Sequence, residues 1–592
     1  MSEPTNDSND VKPPEEAAPE STPQAAAPVP REPVRLRIAP AVAIVVLHFA
    51  VLAFTLYLPT VIGNAIGIVG MPFLAALLLA IWWVAASRAP WRDRAIGVVA
   101  FVVVVVWIVI SQQQYQARIL SVALPVLTTG TVLILAATMR SRWEAQRAKV
   151  LYFFIACAIL FPMFRIDDVA GNLAPNMSWR WRATPDELVV SSATPGGTAA
   201  VPQKPGPQDW PAFRGPARDG VLRGVTINTD WNANPPKERW RKRVGLGFSS
   251  YAAVGNYLFT QEQRKENEVV VCYEADTGNE VWINSLPVRF DEAVGSGPRA
   301  TPTFEDGKLY TQGALGHLQC LDAATGNTIW KTDIAADTDA GVPQWGFASS
   351  PLVTDKHVIT FTGGKGDKAV IAYDKATGTK AWCGGATAPG YSSAHLATIQ
   401  NVPQVVVTSG YGVQSFDPAT GAILWGNEWK TNMNPRVVQP MVVDFGRGIL
   451  VGTAEGKGTR YLQIAQSDSG WSATEKWTTR EFRPYFNDYV QHKGYCYGFD
   501  GDVLTCIDWA TGYRRWKGPH FGGQLLLIEN SDVLIVLSEK GEVALVKTNP
   551  SVYEEVATFK AIEGKTWNHP VVANGKLFVR NAEESACYDL PA

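Results

Sequence analysis

The stretch DKATGTKAW at 374–382 decides the fold, because the chain repeats it. The same phrase reads EADTGNEVW at 274–282, DAATGNTIW at 322–330, DPATGAILW at 417–425 and DWATGYRRW at 508–516. Each copy is a carboxylate, two residues, Thr-Gly, three residues and a Trp. A repeat of roughly 40 to 50 residues marks a solenoid or a propeller, in which each unit buries its apolar face only against its neighbours.

The residues before each copy alternate in strand fashion, as in VVVCYE (269–274), LQCLD (318–322) and VIAYD (370–374). The Asp and Thr bond the turn backbone, and the Gly takes a positive φ without steric cost. The strand after the turn ends in Trp, a flat side chain suited to packing between sheets. Two further strands precede each phrase, as in ATPTFEDGKLYTQGALGHLQCLD (300–322), so a unit has four strands.

Degenerate copies complete the ring. QIAQSDSGWSATEKW (463–477) has a longer turn, LVKTNPSVYEEVATF (545–559) places Phe559 where Trp is expected, and the chain ends on an inner strand, CYDL (587–590). ERWRKRV (238–244) has its Trp240 but no inner strand before it. Pairing these two ends closes a ring and removes its edges. The expected fold is an all-β eight-bladed β-propeller of four-stranded antiparallel blades, closed by N- and C-terminal strands, over 236–592.

An α-helical transmembrane domain is expected before it. Residues 1–35 are rich in Pro, Ala, Glu and Ser, which predicts a disordered cytoplasmic tail. Five apolar runs follow within 36–165: Ile38–Leu58, Ile66–Ala86, Ala95–Ser111, Ile119–Met139 and Val150–Phe164. The first, second and fourth are long enough for a hydrocarbon core of about 30 Å, the third is marginal and the fifth is short. Cations crowd alternate flanks (Arg31, Arg35, Arg37; then Arg88, Arg92, Arg94; then Arg140, Arg142, Arg147, Lys149), with Arg118 alone between the last two groups. The positive-inside rule then puts the N-terminus in the cytoplasm and the propeller in the periplasm of a bacterial inner membrane. Residues 166–235 read as a linker, flexible over 191–208, with DWPAFRGPARDG (209–220) packing on the propeller.

A net charge of −2, with no basic block outside the membrane loops, argues against nucleic acid. Of seven Cys, Cys272, Cys320, Cys506 and Cys587 hold one inner-strand slot in different blades and read as small buried residues. Cys496 and Cys506 lie on consecutive strands, where a bridge is open.

The phrase AxDxxTGxxxW, complete at 372–382, resembles the repeat of pyrroloquinoline-quinone (PQQ) propellers. That superfamily contains the quinoprotein dehydrogenases and non-enzymatic relatives such as the assembly lipoprotein BamB. DWPAFRGPARDG, GPRATP (297–302), PQWGFASSPLV (343–353) and GYSSAHLAT (390–398) resemble a PQQ-like β-propeller repeat family of bacteria. Helices before such a ring resemble the membrane-bound quinoprotein glucose dehydrogenases.

The loops entering each innermost strand line the funnel of such a ring. They supply Arg299, Arg436, Arg483 and Lys565, cations that grip carboxylates, with Trp345, Tyr391 and Trp567 as flat walls. These seven are the candidate cofactor-binding residues, for PQQ or another anion. Asp488 is the candidate catalytic base, although a salt-bridged Asp is the plainer reading. His395, His520 and His569 fall in funnel loops of different blades without metal-ligand spacing. Two functions remain open. One is a binding or scaffolding module for an envelope protein or small anion, with no cofactor. The other is a PQQ- and Ca²⁺-dependent dehydrogenase passing electrons to membrane quinone. Few funnel acids and compact blades favour the first.

Overall fold

The Trp that ends one phrase packs onto the Gly of the next. A Cβ built on Gly326 would lie 2.4 Å from the ring of Trp282; on Gly378, 2.6 Å from Trp330; on Gly421, 2.4 Å from Trp382. These glycines have φ of 72°, 70° and 74°, so Gly is required for its backbone and again for its missing side chain. The indole N–H then donates to a carbonyl of the same turn: Trp282 to Ala323 O at 3.1 Å, Trp330 to Lys375 O at 3.1 Å, Trp382 to Pro418 O at 3.3 Å. The Asp shapes the turn from inside, as Asp374 Oδ1 accepts from the N–H groups of Ala376 and Thr377. Opposite each Trp stands the small slot: Cys272 faces Trp282, Cys320 faces Trp330, Ala372 faces Trp382 and Ser415 faces Trp425.

The computed structural model describes residues 36–57, 63, 65–112, 116–169, 174–189, 191, 193, 196–431, 436–453 and 456–591. Eight sheets form the ring, seven of four strands and one of five, all antiparallel within the blades. The first blade is Ala252–Val254, Tyr257–Arg264, Asn267–Glu274 and Glu280–Leu286. The last is Val571–Ala573, Lys576–Arg580, Glu584–Asp589 and the early strand Lys237–Arg243, with Cys587 opposite Trp240. The ring therefore closes through the two ends of the propeller sequence. In the seventh blade Phe559 is not in the Trp slot. Ala557, opposite Leu545 just before the bulge, occupies it, and Phe559 lies two residues along, against Trp231 and Tyr588.

The fifth strand of that blade is Val221–Leu222, which pairs parallel to Leu527–Ile528. It belongs to the stretch expected to be a linker. Residues 196–208 also lie on the blades: Ala199 donates to Ala324 O, and its side chain is buried with Phe259 and Phe304. The expected flexibility of this stretch is thus replaced by packing, because its small apolar residues seal the seam between two blades. All seven Cys are free, and Cys496 faces Met441 while Cys506 faces Trp516, on opposite sides of their sheet.

The chain divides into two compact units, the helices up to Pro162 and the described residues from Met163 onward. Among the described residues, four helices are long and apolar enough to cross a membrane: Ala65–Ala86, Trp91–Ile110, Leu120–Ala137 and Trp143–Met163. The last corrects the expectation of a short fifth run. The helix begins seven residues before Val150, over a charged first stretch that hides it from hydropathy. The first helix is Ala39–Tyr57, and its described apolar stretch is the shorter Ala39–Thr55. Leu58, where that run was expected to end, and the expected disordered tail 1–35 lie outside the described residues.

Candidate functional site

Aromatic rings from five blades meet across the funnel mouth. Phe248 lies 5.2 Å from Trp567, Trp567 5.1 Å from Phe486, and Phe486 5.5 Å from Tyr485. Tyr485 then reaches Trp345 at 6.4 Å, and Trp345 reaches Tyr391 at 4.9 Å. Tyr485 belongs to the loop of the sixth blade and Trp345 to that of the third, so this line of rings spans the opening. Such contacts favour tilted and edge geometries and hold one another in place. The Tyr391 hydroxyl also accepts from Trp345 N at 3.2 Å.

The four funnel cations do not form one cluster. Arg299 and Lys565 come together around Phe248, at 5.5 and 5.8 Å from its ring. Arg299 donates to Gly295 O at 2.5 Å and to Gly297 O, and lies over Phe290 at 4.7 Å. Lys565 is paired with Asp168 at 2.5 Å and lies 4.7 Å over Trp567. Burial lowers the Lys565 pKa and the Asp168 charge partly offsets that. Arg483 sits apart in a fork on Asp500, at 2.6 and 3.1 Å, with Lys517 on the same carboxylate. Arg436 is buried and donates to the Ser409 and Trp429 carbonyls at 2.6 and 2.5 Å. Each cation is thus held by the chain's own oxygens.

Below the mouth, the axis is filled by the segment expected only to pack on the propeller. Trp210 bridges to Ala253, and Pro211 O accepts from Phe304 N. The tip of this segment carries Arg214 and Arg218, each with a positive φ (60° and 54°) and each 5 % exposed. Arg214 donates to Tyr489 O at 2.5 Å and pairs with Asp488 at 3.4 Å. Arg218 donates to Ser350 O at 2.9 Å and Pro351 O at 3.0 Å. Burial and the nearby Arg214 charge bring its pKa down to about 9. His395 lies in the field of both arginines, and burial, Arg218 and Arg214 hold its pKa down at about 4. No pattern in the sequence singles out Arg214 and Arg218, since neither recurs with the repeat. Their glycine-rich neighbourhood, RGPARDG, is the signal that the backbone turns sharply there.

Asp488 lies at the inner end of that arrangement. Its oxygens meet Gln439 N at 3.1 Å, Arg214 at 3.4 Å and His569 Nε2 at 3.2 Å. Burial alone would raise its pKa, but the Arg214 charge and the His569 contact hold it below the ordinary carboxylate value. A Ca²⁺ ion needs six to eight oxygen ligands. No group of three or more His, Cys, Asp or Glu side chains is placed to hold a metal among the described residues, and Asp488 faces a fixed cation. The residues present do not fit a Ca²⁺–quinone pair. What they can do is lock blades to one another across the axis.

The chain matches a PQQ-like family described as outer membrane protein assembly factor BamB, over residues 265–518. The outer membrane protein assembly factor BamB of Yersinia pestis is 24 % identical over 376 residues, 58 % of this chain and 87 % of that one. Among solved structures, BamB from Moraxella catarrhalis matches at 14 % identity and a TM-score of 0.46, covering 60 % of this chain and 99 % of its own. A quinohemoprotein alcohol dehydrogenase from Pseudomonas putida HK5 matches at 14 % identity and 0.48, covering 65 % of this chain and 80 % of its own. The family match is thus confined to residues 265–518, within an eight-bladed β-propeller that follows an N-terminal helical region.

Proposed function

We propose that this protein is a scaffold of the bacterial inner membrane, whose propeller binds an envelope protein in the periplasm and carries out no reaction at its axis. One observation carries the reading: the funnel is occupied from both ends by the chain itself. Aromatic rings span its mouth, and Arg214 and Arg218 fill its lower part. The funnel cations already have oxygen partners, so an incoming polycarboxylate would have to displace Asp168 or Asp500. Asp488 serves as the anchor of Arg214 in this reading, not as a base. The described flanking charges agree with a cytoplasmic N-terminus, and the family description as an assembly factor is of the same functional class.

A docking feature lies on the face opposite the funnel mouth. Phe445 is fully exposed in a turn where both it and Asp444 have positive φ (51° and 50°). That turn sits against Thr398–Gln400, near the exposed Leu396. Displaying a phenylalanine at a strained position has an energetic cost, which suits a residue kept for contact.

The test is a titration of the purified full-length protein with PQQ and Ca²⁺, followed by quinone absorbance and dye reduction with alcohols and sugars. Neither retained quinone nor turnover is expected. Retained quinone with turnover, lost in Arg299→Ala and Arg483→Ala, would replace the scaffold with a quinone-linked dehydrogenase. A photo-crosslinking residue at position 445 is expected to capture an envelope protein in living cells.

A further inference from the structure

The chain leaves the apolar helix Trp143–Met163 and forms a hairpin at once. Phe164–Val169 pairs antiparallel with Pro175–Trp179, with Phe164 opposite Trp179 and Val169 opposite Pro175. This register gives the hairpin two different ends. At the Val169 end it is fixed to the funnel loops: Val169 N donates to Ala293 O at 2.9 Å, Asp168 pairs with Lys565 at 2.5 Å, and Ile166 and Val169 are buried.

At the other end three rings stack. Phe164 lies on Trp179 at 4.1 Å and 26°, and Trp179 on Trp181 at 4.8 Å and 16°. Trp282, Trp330, Trp382, Trp425 and Trp516 of the blades are buried, Trp330 for example at 9 %, whereas Trp179 is 41 % and Trp181 69 % exposed. Phe164 follows Met163 directly, and consecutive Cα atoms are about 3.8 Å apart. Phe164, the first ring of the stack, is therefore one residue past the apolar stretch, at the point where the chain enters the headgroup layer of any membrane that this stretch crosses. Indole rings, apolar in body with one N–H to satisfy, are at their most stable in that headgroup layer. Arg182, exposed beside the stack, brings a positive charge to the same level as lipid phosphates.

We infer that Phe164, Trp179 and Trp181 form an interfacial anchor seated in the lipid headgroup layer. This rests on the membrane anchoring proposed above and goes beyond it by naming a lipid-binding face of the propeller unit.

The test uses the full-length protein with Trp181→Cys or Trp179→Cys carrying a small fluorophore, reconstituted in phosphatidylcholine–phosphatidylglycerol vesicles. The phosphatidylcholine is brominated either near the headgroup or near the chain end. Headgroup-proximal bromine is expected to quench both labels at least about twofold more than chain-end bromine. A label at Tyr513→Cys, exposed on an outer turn of the sixth blade, is expected to be unquenched by either. Flotation of the vesicles after an alkaline wash reports the helices separately. Protein that floats while positions 179 and 181 stay unquenched overturns the anchor and leaves the membrane reading standing. Energy transfer between labels on different molecules, without bromine quenching, assigns the face to a second copy and also overturns it. Protein that does not float removes both readings.

Discussion

The rim and the axis of this propeller are built by opposite means. On the rim one device recurs: a Trp of one blade covers the Gly of the next and bonds its turn, at Trp282–Gly326, Trp330–Gly378 and Trp382–Gly421. The axis has a repeated lining, in which Ser250 N–H donates to Thr301, Thr301 N–H to Ser350 and Ser350 N–H to Ser393, but its filling is not repeated. A single segment inserts Arg214 and Arg218, and different blades answer with different groups: Ser350 O and Pro351 O from the third, Asp488 and Tyr489 O from the sixth. The rim spreads its stabilisation over many similar contacts, while the axis concentrates it in a few buried charges. A repeat protein can lose one rim contact and keep its neighbours, but a buried charge that loses its partner has no substitute.

That contrast sets the order of expected effects. Asp488→Ala leaves the Arg214 guanidinium buried without its carboxylate. It should lower stability by about 3–5 kcal/mol, read as a shift in the denaturant midpoint of propeller unfolding. A loss below about 1 kcal/mol would erase the distinction between axis and rim.

The second test is pH dependence near the funnel loops. Glu268 is buried, and burial raises its pKa to about 7 although Ala314 N–H and Arg299 favour the charged form. Its unfolded pKa is about 4.3. Between the two values the folded chain keeps a proton that the unfolded chain releases, so stability falls as pH rises across this window, by about 4 kcal/mol in all, and levels off above it. Unfolding curves of Glu268→Gln should lack that slope. Parallel curves for the two proteins from pH 4 to 8, a range of about 4 units, would show that Glu268 titrates normally.

Gly378 on the rim and Gly501, in the turn beside Asp500, both have φ of 70°, but a Cβ on Gly378 meets Trp330 while one on Gly501 meets nothing within 4 Å. Gly501→Ala should cost about 1 kcal/mol, the left-handed backbone alone. Gly378→Ala should cost about 3 kcal/mol, because Trp330 must also move. Equal losses would mean that the Trp–Gly contact does not carry the blade packing. Trp330→Phe keeps one aromatic ring but loses part of the indole and its bond to Lys375 O, and should cost at least about 1 kcal/mol by the same midpoint assay.

The same contrast explains what could be read before the structure. The Thr-Gly phrase carries the rim because every residue in it acts locally. Asp and Thr bond the turn, Gly takes the positive φ and Trp covers the next turn. Blade number and closure through Trp240 followed from counting those phrases. Phe559 misled by two residues because the bulge at Leu545 sets the register, and a bulge leaves little trace in sequence. The axis was legible only in outline. Residue type showed that Arg299, Arg483 and Lys565 lie in funnel loops, but their partners Gly295 O, Asp500 and Asp168 are brought there by tertiary structure. Arg214 and Arg218 were hidden because they occur once. The helix at Trp143 was hidden because Glu144, Arg147 and Lys149 lower the hydropathy of its first turns.

The central claim is that the chain's own segment Trp210–Leu222 fills the axis, and hydrogen–deuterium exchange on the full-length protein tests it most directly. The N–H groups of Arg218 and Gly220, bonded to Gly215 O and Arg214 O, and that of Leu527, bonded to Gly220 O, should exchange as slowly as the inner strands of the blades. Exchange of these amides at the rate of an unstructured peptide would leave the funnel open, and with it the ligand site that this account closes.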